Sequence, residues 1–280
     1  MLACVNLDLV TVDHPDRPPL DPAAWSGLDP PWRVEVLEQV ASTNAALVER
    51  ARNGAAEGLV LVTEHQTAGR GRLDRGWATP ARAALTFSVL LRPVGVPAAR
   101  WPWLPLLAGV AAAAAVRREG VRAAVKWPND LLVEGRKLAG ILLERVETTA
   151  GPAVVLGLGV NVSTTRAELP VPHATSLLLE GGVPVDRGAL LAVVLAELAA
   201  GYGRWVADAG DPDGGLRASY LAVCETVGRD VRVEVPDGRT VRGRAVGVDG
   251  VGRLVVGTGG GEVTLGAGDV VHVGRPDAPP

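Results

Sequence analysis

The sequence predicts an α+β chain in which a mixed sheet with helices is followed by a small all-β module. Apolar runs of strand length, some alternating and some continuous, recur from about residue 33 to residue 162. Longer apolar stretches with capping residues lie between and after them. From about Val227 the texture changes to short β-type runs punctuated by Asp237-Gly238 and Asp249-Gly250, dipeptides suited to tight hairpin turns. With 280 residues, 48% of them hydrophobic, the chain is long enough for one good core plus a small second domain. The expected division is an irregular lead-in at 1–30, a main domain at 31–226 and the β-module at 227–280.

The lead-in carries "DHPDRPPLDP" and "GLDPPW", too rich in proline for regular structure, and reads as a tail. The run "RVEVLEQV" opens the sheet; "GLVLVTEH", "ALTFSVLL", "VRAAVKW", "DLLVEG", "KLAGILLERV" and "AVVLGLGVNV" continue it. Among them "TNAALVERARNG" is helical, capped by Ser42 or Thr43 and closed by Gly54. The alanine-rich "LPLLAGVAAAAAVRREG" is apolar nearly all round before Arg117, which predicts a helix buried against the sheet. A long helix is expected from about Arg187 to Asp208 and a shorter one near Leu216 to Cys224. The runs after Val227 read as a small barrel of the SH3-like kind, whose tight turns leave little room for catalytic residues. That puts the chemistry in the main domain.

Composition narrows the classes of function. A formal charge of −3 gives no global sign of a nucleic-acid partner, although a local basic patch stays open. Cys4 and Cys224 are isolated, which argues against a metal site or a disulfide framework and fits a reducing cytoplasm. No charged segment precedes an apolar signal at the N-terminus, and the longest apolar run reads as broken too early to span a bilayer, so no membrane is expected.

Polar islands at strand ends are not required for packing, so they carry the candidate chemistry. The first, "STN" (Ser42, Thr43, Asn44), is read most simply as a helix cap. The second, "EHQTAGRGRLDRGW", sets Arg70, Arg72 and Arg75 among Gly69, Gly71 and Gly76. Glycines there let backbone N–H groups turn toward an anion while the guanidinium groups supply charge; the plainer reading is a solvated basic loop. The third, "KWPND", offers Lys126 and Asp130, which as structure alone would form an ion pair beside a core Trp127. Lys137 at the start of the next strand could add a cation to the same cleft. In the fourth, "GLGVNV", Gly157 and Gly159 inside a strand imply close approach by a ligand or another chain, and Asn161 would offer an amide. Gly-x-Gly without a third glycine opening a helix is no dinucleotide fingerprint, and no Walker A motif is present. A pocket of glycines and cations with few general bases suits a reaction that develops negative charge on phosphate.

The ordered set "STN", "QTAGRGRLDRGW", "KWPNDLLVEGRKLAGILLE" and "GLGVNV" resembles the biotin–protein ligases, from about residue 33 to the end of the chain. The resemblance implies a catalytic domain related to class II aminoacyl-tRNA synthetases joined to an SH3-like C-terminal domain. Some members add an N-terminal helix-turn-helix that binds DNA; this sequence leaves no room for one, and no DNA partner is expected. The implied reaction activates biotin with MgATP to biotinyl-5′-AMP, then transfers biotin to a lysine of a biotin carboxyl carrier protein domain of a biotin-dependent carboxylase. ATP, Mg²⁺ and biotin would be substrates, with no tightly bound cofactor.

Carried onto matching positions, the resemblance places Ser42, Thr43, Asn44 and Gln66 on the biotin side, with Gly157 and Gly159 in the ligand pocket. It places Gly69, Arg70, Gly71 and Arg72 along biotin and its activated carboxyl-phosphate. Lys137 would bridge to the reacting carboxylate and phosphate. Arg72 and Arg75 would close over the nucleotide, Trp77 would pack near the adenine, and Asn161 would help hold the adenylate. Lys126 and Asp130 would stand beside the phosphates, Asp130 through Mg²⁺ or by orienting the acceptor lysine. The segment "ATPARAALTFSV" departs from the family in lacking its glycine-and-asparagine phrase, which leaves open the backbone lining the biotin ring. A lipoate–protein ligase would share the fold but carry an arginine-rich, triple-glycine, His-Asp phrase that is missing here. An RNA-binding module would need stacking aromatics, yet aromatics are 4% of the chain and the β-module has none.

Overall fold

In a computed structural model of the chain, the described residues are 17–25, 27–28, 32–73 and 75–273. The main sheet is built from β1 (Arg33–Val40), β2 (Leu59–Gln66), β5 (Ala84–Leu91), β6 (Ala124–Lys126), β7 (Asp130–Val133), β8 (Arg136–Thr148) and β9 (Gly151–Asn161). A separate two-stranded ladder pairs β3 (Gly69–Arg70) with β4 (Gly76–Trp77). The seven strands run in the order β1-β2-β5-β9-β8-β7-β6, antiparallel throughout except for the parallel edge pair β1/β2. A parallel pair needs a crossover, and helix α1 (Thr43–Arg52) supplies it.

Residue alternation assigns the two faces of the sheet. Along β2, Leu59 and Leu61 pack with Leu47 and Ala51 of α1, while Val60 and Val62 join the main core on the other face. Both faces are therefore covered, which is why β2 reads as a continuous apolar run. The main core is closed by α2 (Trp103–Arg118) and α4 (Arg187–Ala207). The alanine run in α2 lets these helices approach closely; Ala108, Ala111, Ala112 and Ala115 are buried. With 21 residues and a mean hydropathy of 1.4, α4 is long and apolar enough to cross a bilayer, contrary to the sequence expectation. Leu190, Leu191, Val194, Leu195 and Leu198 of this helix are nevertheless buried in the main core.

Two short helices, α3 (Leu177–Gly181) and α5 (Leu216–Leu221), flank α4 in sequence. The C-terminal sheet is antiparallel, with β10 (Asp230–Glu234), β11 (Thr240–Val248), β12 (Leu254–Thr258), β13 (Gly261–Leu265) and β14 (Asp269–His272) in the order β13-β12-β11-β10-β14. Its apolar face, including Val231, Val233, Ala245, Leu254 and Val256, is continuous with the main core. Two indoles tie the main domain to the β11–β12 turn of the C-terminal sheet: Trp103 Nε1 donates to Asp249 O at 3.2 Å and Trp127 Nε1 to Gly252 O at 3.1 Å.

The sequence reading of the lead-in as an irregular tail needs correction for residues 17–25. Their only regular element is one turn of 3-10 helix, Pro22–Trp25, but they are firmly docked. Trp25 Nε1 donates to Gly188 O at 3.0 Å, and Leu20 and Trp25 are buried in the main core. The guanidinium of Arg187 binds Glu64 at 2.7 Å in a pair that is almost wholly buried and also donates to Pro18 O at 2.6 Å. Arg17 grips Ser163 and Glu168. An unpaired Glu64 in that position would be costly, and the lead-in helps to satisfy it.

Candidate active site

The cleft lies where the α1 face of the sheet outruns α1. Along β9 that face carries Ala153 and Val155 under the helix, then Gly157 and Gly159. Along β5 it passes from Leu90 to Ser88 and Thr86, and along β8 from Val146 to Glu144, Leu142 and Gly140. Apolar side chains thus give way to small and polar ones beyond the helix N-terminus, leaving a hollow with a hydrogen-bonding floor.

"STN" serves both as cap and as floor. Ser42 Oγ caps α1 by accepting from Ala45 N at 3.4 Å. Thr43 N donates to Gln66 Oε1 at 2.7 Å, and the Thr43 hydroxyl lies 3.1 Å from the same oxygen. Ser88 Oγ donates to Asn44 Oδ1 at 2.6 Å and touches Thr43 Oγ1 at 2.8 Å. Asn44 Nδ2 donates to Glu144 Oε2 at 2.8 Å. This network fixes rotamers that would otherwise be mobile in a polar hollow.

The two strand glycines have an internal explanation. A Cβ at Gly157 would collide with Asn44 Oδ1, and one at Gly159 would overlap the indole of Trp77. The close approach expected from a ligand or another chain is thus made by this chain's own side chains. Gly140 completes the seat, since a Cβ there would stand 3.4 Å from Trp77 Cζ3 and 3.5 Å from Lys137 Nζ. Trp77 Nε1 is buried and has no hydrogen-bond partner among the described residues, so its N–H is available to a ligand.

The basic loop is a small hairpin rather than an open connection. Gly69 pairs with Trp77 and Arg70 with Gly76, while Gly71 N donates to Arg75 O at 2.6 Å. Each of its arginines has a protein partner. Arg70 holds both oxygens of Glu144 at 3.0 Å, Arg72 Nη1 donates to Asn129 Oδ1 at 3.0 Å, and Arg75 pairs with Asp269 of β14. Lys137 Nζ stands 2.7 Å from Asp130 Oδ1, although that buried oxygen accepts no hydrogen bond. The contact is therefore charge pairing without hydrogen-bond alignment. The ion pair imagined between Lys126 and Asp130 is thus made by Lys137. Burial pushes the Arg72 and Lys126 pKa values down, with Asp269 and Asp130 pulling both back up.

Of the residues singled out from sequence, Ser42, Thr43, Asn44, Gln66, Arg70, Gly71, Arg72, Arg75, Trp77, Asp130, Lys137, Gly157 and Gly159 line one cleft. Gly69 lines an adjoining groove instead. Lys126 and Asn161 do not line the cleft: Lys126 is coupled by charge to Asp130, Lys137 and Asp269, and Asn161 is buried with Nδ2 donating to Thr175 O at 2.9 Å. Sequence reasoning missed Ser88, Asn129, Glu144 and Asp269. Asn129 sat inside a motif already under suspicion, and strand alternation from Gly140 points to Glu144; nothing local marks Asp269.

Residues 36–161 match the biotin/lipoate A/B protein ligase family, and residues 226–273 match the biotin protein ligase C terminal domain. The biotin--[acetyl-CoA-carboxylase] ligase of Mycobacterium tuberculosis is 44% identical over 92% of this chain and 97% of that protein. The chain belongs to the biotin–protein ligase family. A second ligase of that name, from Paracoccus denitrificans, is 33% identical over 85% of this chain and all of that protein, 100%. Among solved structures, the biotin protein ligase from Aquifex aeolicus in complex with biotin and ATP superposes with a TM-score of 0.72 at 26% identity. It covers 85% of this chain and 97% of that one. The match to a C-terminal domain specific to biotin protein ligases favours the biotin branch over the lipoate one.

Proposed function

We propose that the chain activates biotin with MgATP to biotinyl-5′-AMP, releasing pyrophosphate, and then passes the biotinyl group to one lysine of a biotin carboxyl carrier domain. The observation that carries this reading is the meeting of Arg70, Arg72, Arg75 and Lys137 around a cleft floored by Thr43, Asn44, Gln66 and Ser88. A cyclic urea presents one acceptor and two donors, and that floor offers both donors and acceptors in fixed positions. The cations at the mouth suit a carboxylate and an α-phosphate brought together, whose repulsion must be offset before they react.

In the first step a biotin carboxylate oxygen attacks the α-phosphorus, forming the acyl–phosphate bond as the bond to pyrophosphate breaks. Lys137 supplies the point charge between the two anions and Arg72 supports the phosphate. Mg²⁺ arrives as part of the substrate. Among the described residues no three acidic, histidine or cysteine side chains gather to hold a metal, which suits an ion held by the phosphates, water and at most one or two carboxylates. Asp130 lines the cleft and is the carboxylate that would meet the ion, with its Oδ1 already paired to Lys137 Nζ. In the second step the carrier's lysine amine attacks the acyl carbon, and AMP leaves with the bonding pair. Trp77 and the β3–β4 hairpin keep water from the mixed anhydride meanwhile.

We place the catalytic unit at 31–226 and the C-terminal unit at 227–280, working in the cytoplasm where ATP is supplied. The test is incubation with biotin, MgATP and a carrier domain, read by mass spectrometry for one added biotinyl group. Absence of biotin-dependent pyrophosphate release would sink the reading.

A further inference from the structure

Among the described residues lining the cleft, Asp269 alone comes from the C-terminal sheet. Its backbone is held by the β10–β14 ladder, where it pairs with Glu234. Gly268 beside it packs so closely that a Cβ there would come within 2.6 Å of Val233 Cγ1 and 3.1 Å of Glu234 O. The Asp269 carboxylate therefore projects from a fixed frame. It takes Arg75 through Nη2 and also acts electrostatically on Arg72 and Lys126. The β3–β4 hairpin is then moored on both sides of the cleft, Arg70 to Glu144 on β8 and Arg75 to Asp269 on β14.

We propose that Asp269 is a positioning residue that latches the β3–β4 hairpin over the cleft, so that the C-terminal sheet sets how long an acyl-adenylate is retained. The inference rests on the adenylate-forming reading above. A guanidinium carries five N–H donors, and Asp269 engages only the Nη2 end of Arg75. The latch and a phosphate contact can therefore coexist on one side chain. The simpler alternative is a rim ion pair of little consequence: the Arg75 side chain is 66% exposed and that of Asp269 31%. Pairs of that kind are worth about 1 kcal/mol at most, or roughly fivefold. The latch differs in where that factor appears, namely in adenylate release.

The test uses the full chain and the variants Asp269→Asn, Asp269→Glu, Arg75→Ala and Arg75→Ala/Asp269→Asn, with thermal melts to establish folding. Biotinyl-AMP is formed without carrier, the protein is desalted, and release is followed by chromatography. Asp269→Asn should release it about fivefold faster, Asp269→Glu should stay near the parent rate, and the double variant should match Arg75→Ala alone. Amide hydrogen exchange across 69–77 should quicken in Asp269→Asn even without substrates. Release and exchange at the parent rate in Asp269→Asn, or a full fivefold further loss in the double variant, would overturn the latch. If the parent protein forms no biotinyl-AMP, the adenylate reading falls, while the exchange measurement still decides whether Asp269 moors the hairpin.

Discussion

Gly159→Ala is the sharpest probe of how the cleft is built. The three atoms nearest to a Cβ at this position all belong to the Trp77 indole, and each lies well inside the ordinary contact distance. The strand cannot retreat, because Gly159 is paired with Thr86 on one side and Gly140 on the other. The indole must therefore shift by about 1 Å or more to reach normal carbon contacts. Overpacking of this kind costs about 1–3 kcal/mol, which for a chain of this size lowers the melting temperature by roughly 2–5 °C. In a Trp77→Ala background the collision is gone, and Gly159→Ala should cost no more than about 0.5 kcal/mol. Thermal melts of the four proteins give the coupling directly. Biotinyl-AMP retention, measured alongside, should fall in Gly159→Ala because the displaced indole no longer seals the cleft. Equal destabilisation by Gly159→Ala in both backgrounds would refute the packing argument.

Three further outcomes are expected. Lys137→Ala should lower biotin-dependent pyrophosphate release by about a hundredfold, the usual loss for one charge-stabilising donor; unchanged release would remove Lys137 from the first step. Arg72→Gly should form adenylate but hold it poorly, so that added bystander proteins acquire biotin on many lysines; labelling confined to the carrier would contradict this. Arg17→Ala should destabilise the fold by about 1–2 kcal/mol at neutral pH, because the carboxylate is partly exposed and keeps its two bonds from Thr165. Burial raises the Glu168 pKa, but hydrogen bonds from Arg17 and from the Thr165 amide and hydroxyl outweigh it and hold the carboxyl down at about 2. Because the folded pKa lies below the ordinary glutamate value of 4.5, that stabilisation is complete above about pH 4.5 and fades as pH falls toward 2. The difference between parent and variant melts should therefore be smaller at pH 3 than at pH 7.

Much of the sheet was legible because its strands obey simple rules. Leu59 to Val62 reads as a buried run because helices cover both faces, and Ser42 reads as a cap because α1 begins just after it. The arginine hairpin and Lys137 could be assigned to one site because glycines and charges in strand-end loops have no packing reason to be there. What stayed hidden depended on distance along the chain. Nothing near Gly159 in sequence reveals that Trp77 fills its missing side chain, and nothing near Asp269 announces Arg75, 194 residues earlier. Asn161 is hidden in the same way: its place beside the glycines suggested a ligand, and nothing near it in sequence reveals that Thr175 O accepts from its Nδ2.

The docking of residues 17–25 bears on the order in which the protein can be made. Arg17 bonds to a serine 146 positions later, Trp25 to a carbonyl 163 positions later, and Pro18 to an arginine 169 positions later. A ribosome delivers the lead-in first, yet none of those partners exists until more than half of the chain has emerged. Until then the Trp25 indole lacks the Gly188 carbonyl it binds, and the nascent chain carries it uncovered. These early residues thus wait for partners between 163 and 188 before their part of the main core can close, and the C-terminal strands that share that core arrive later still.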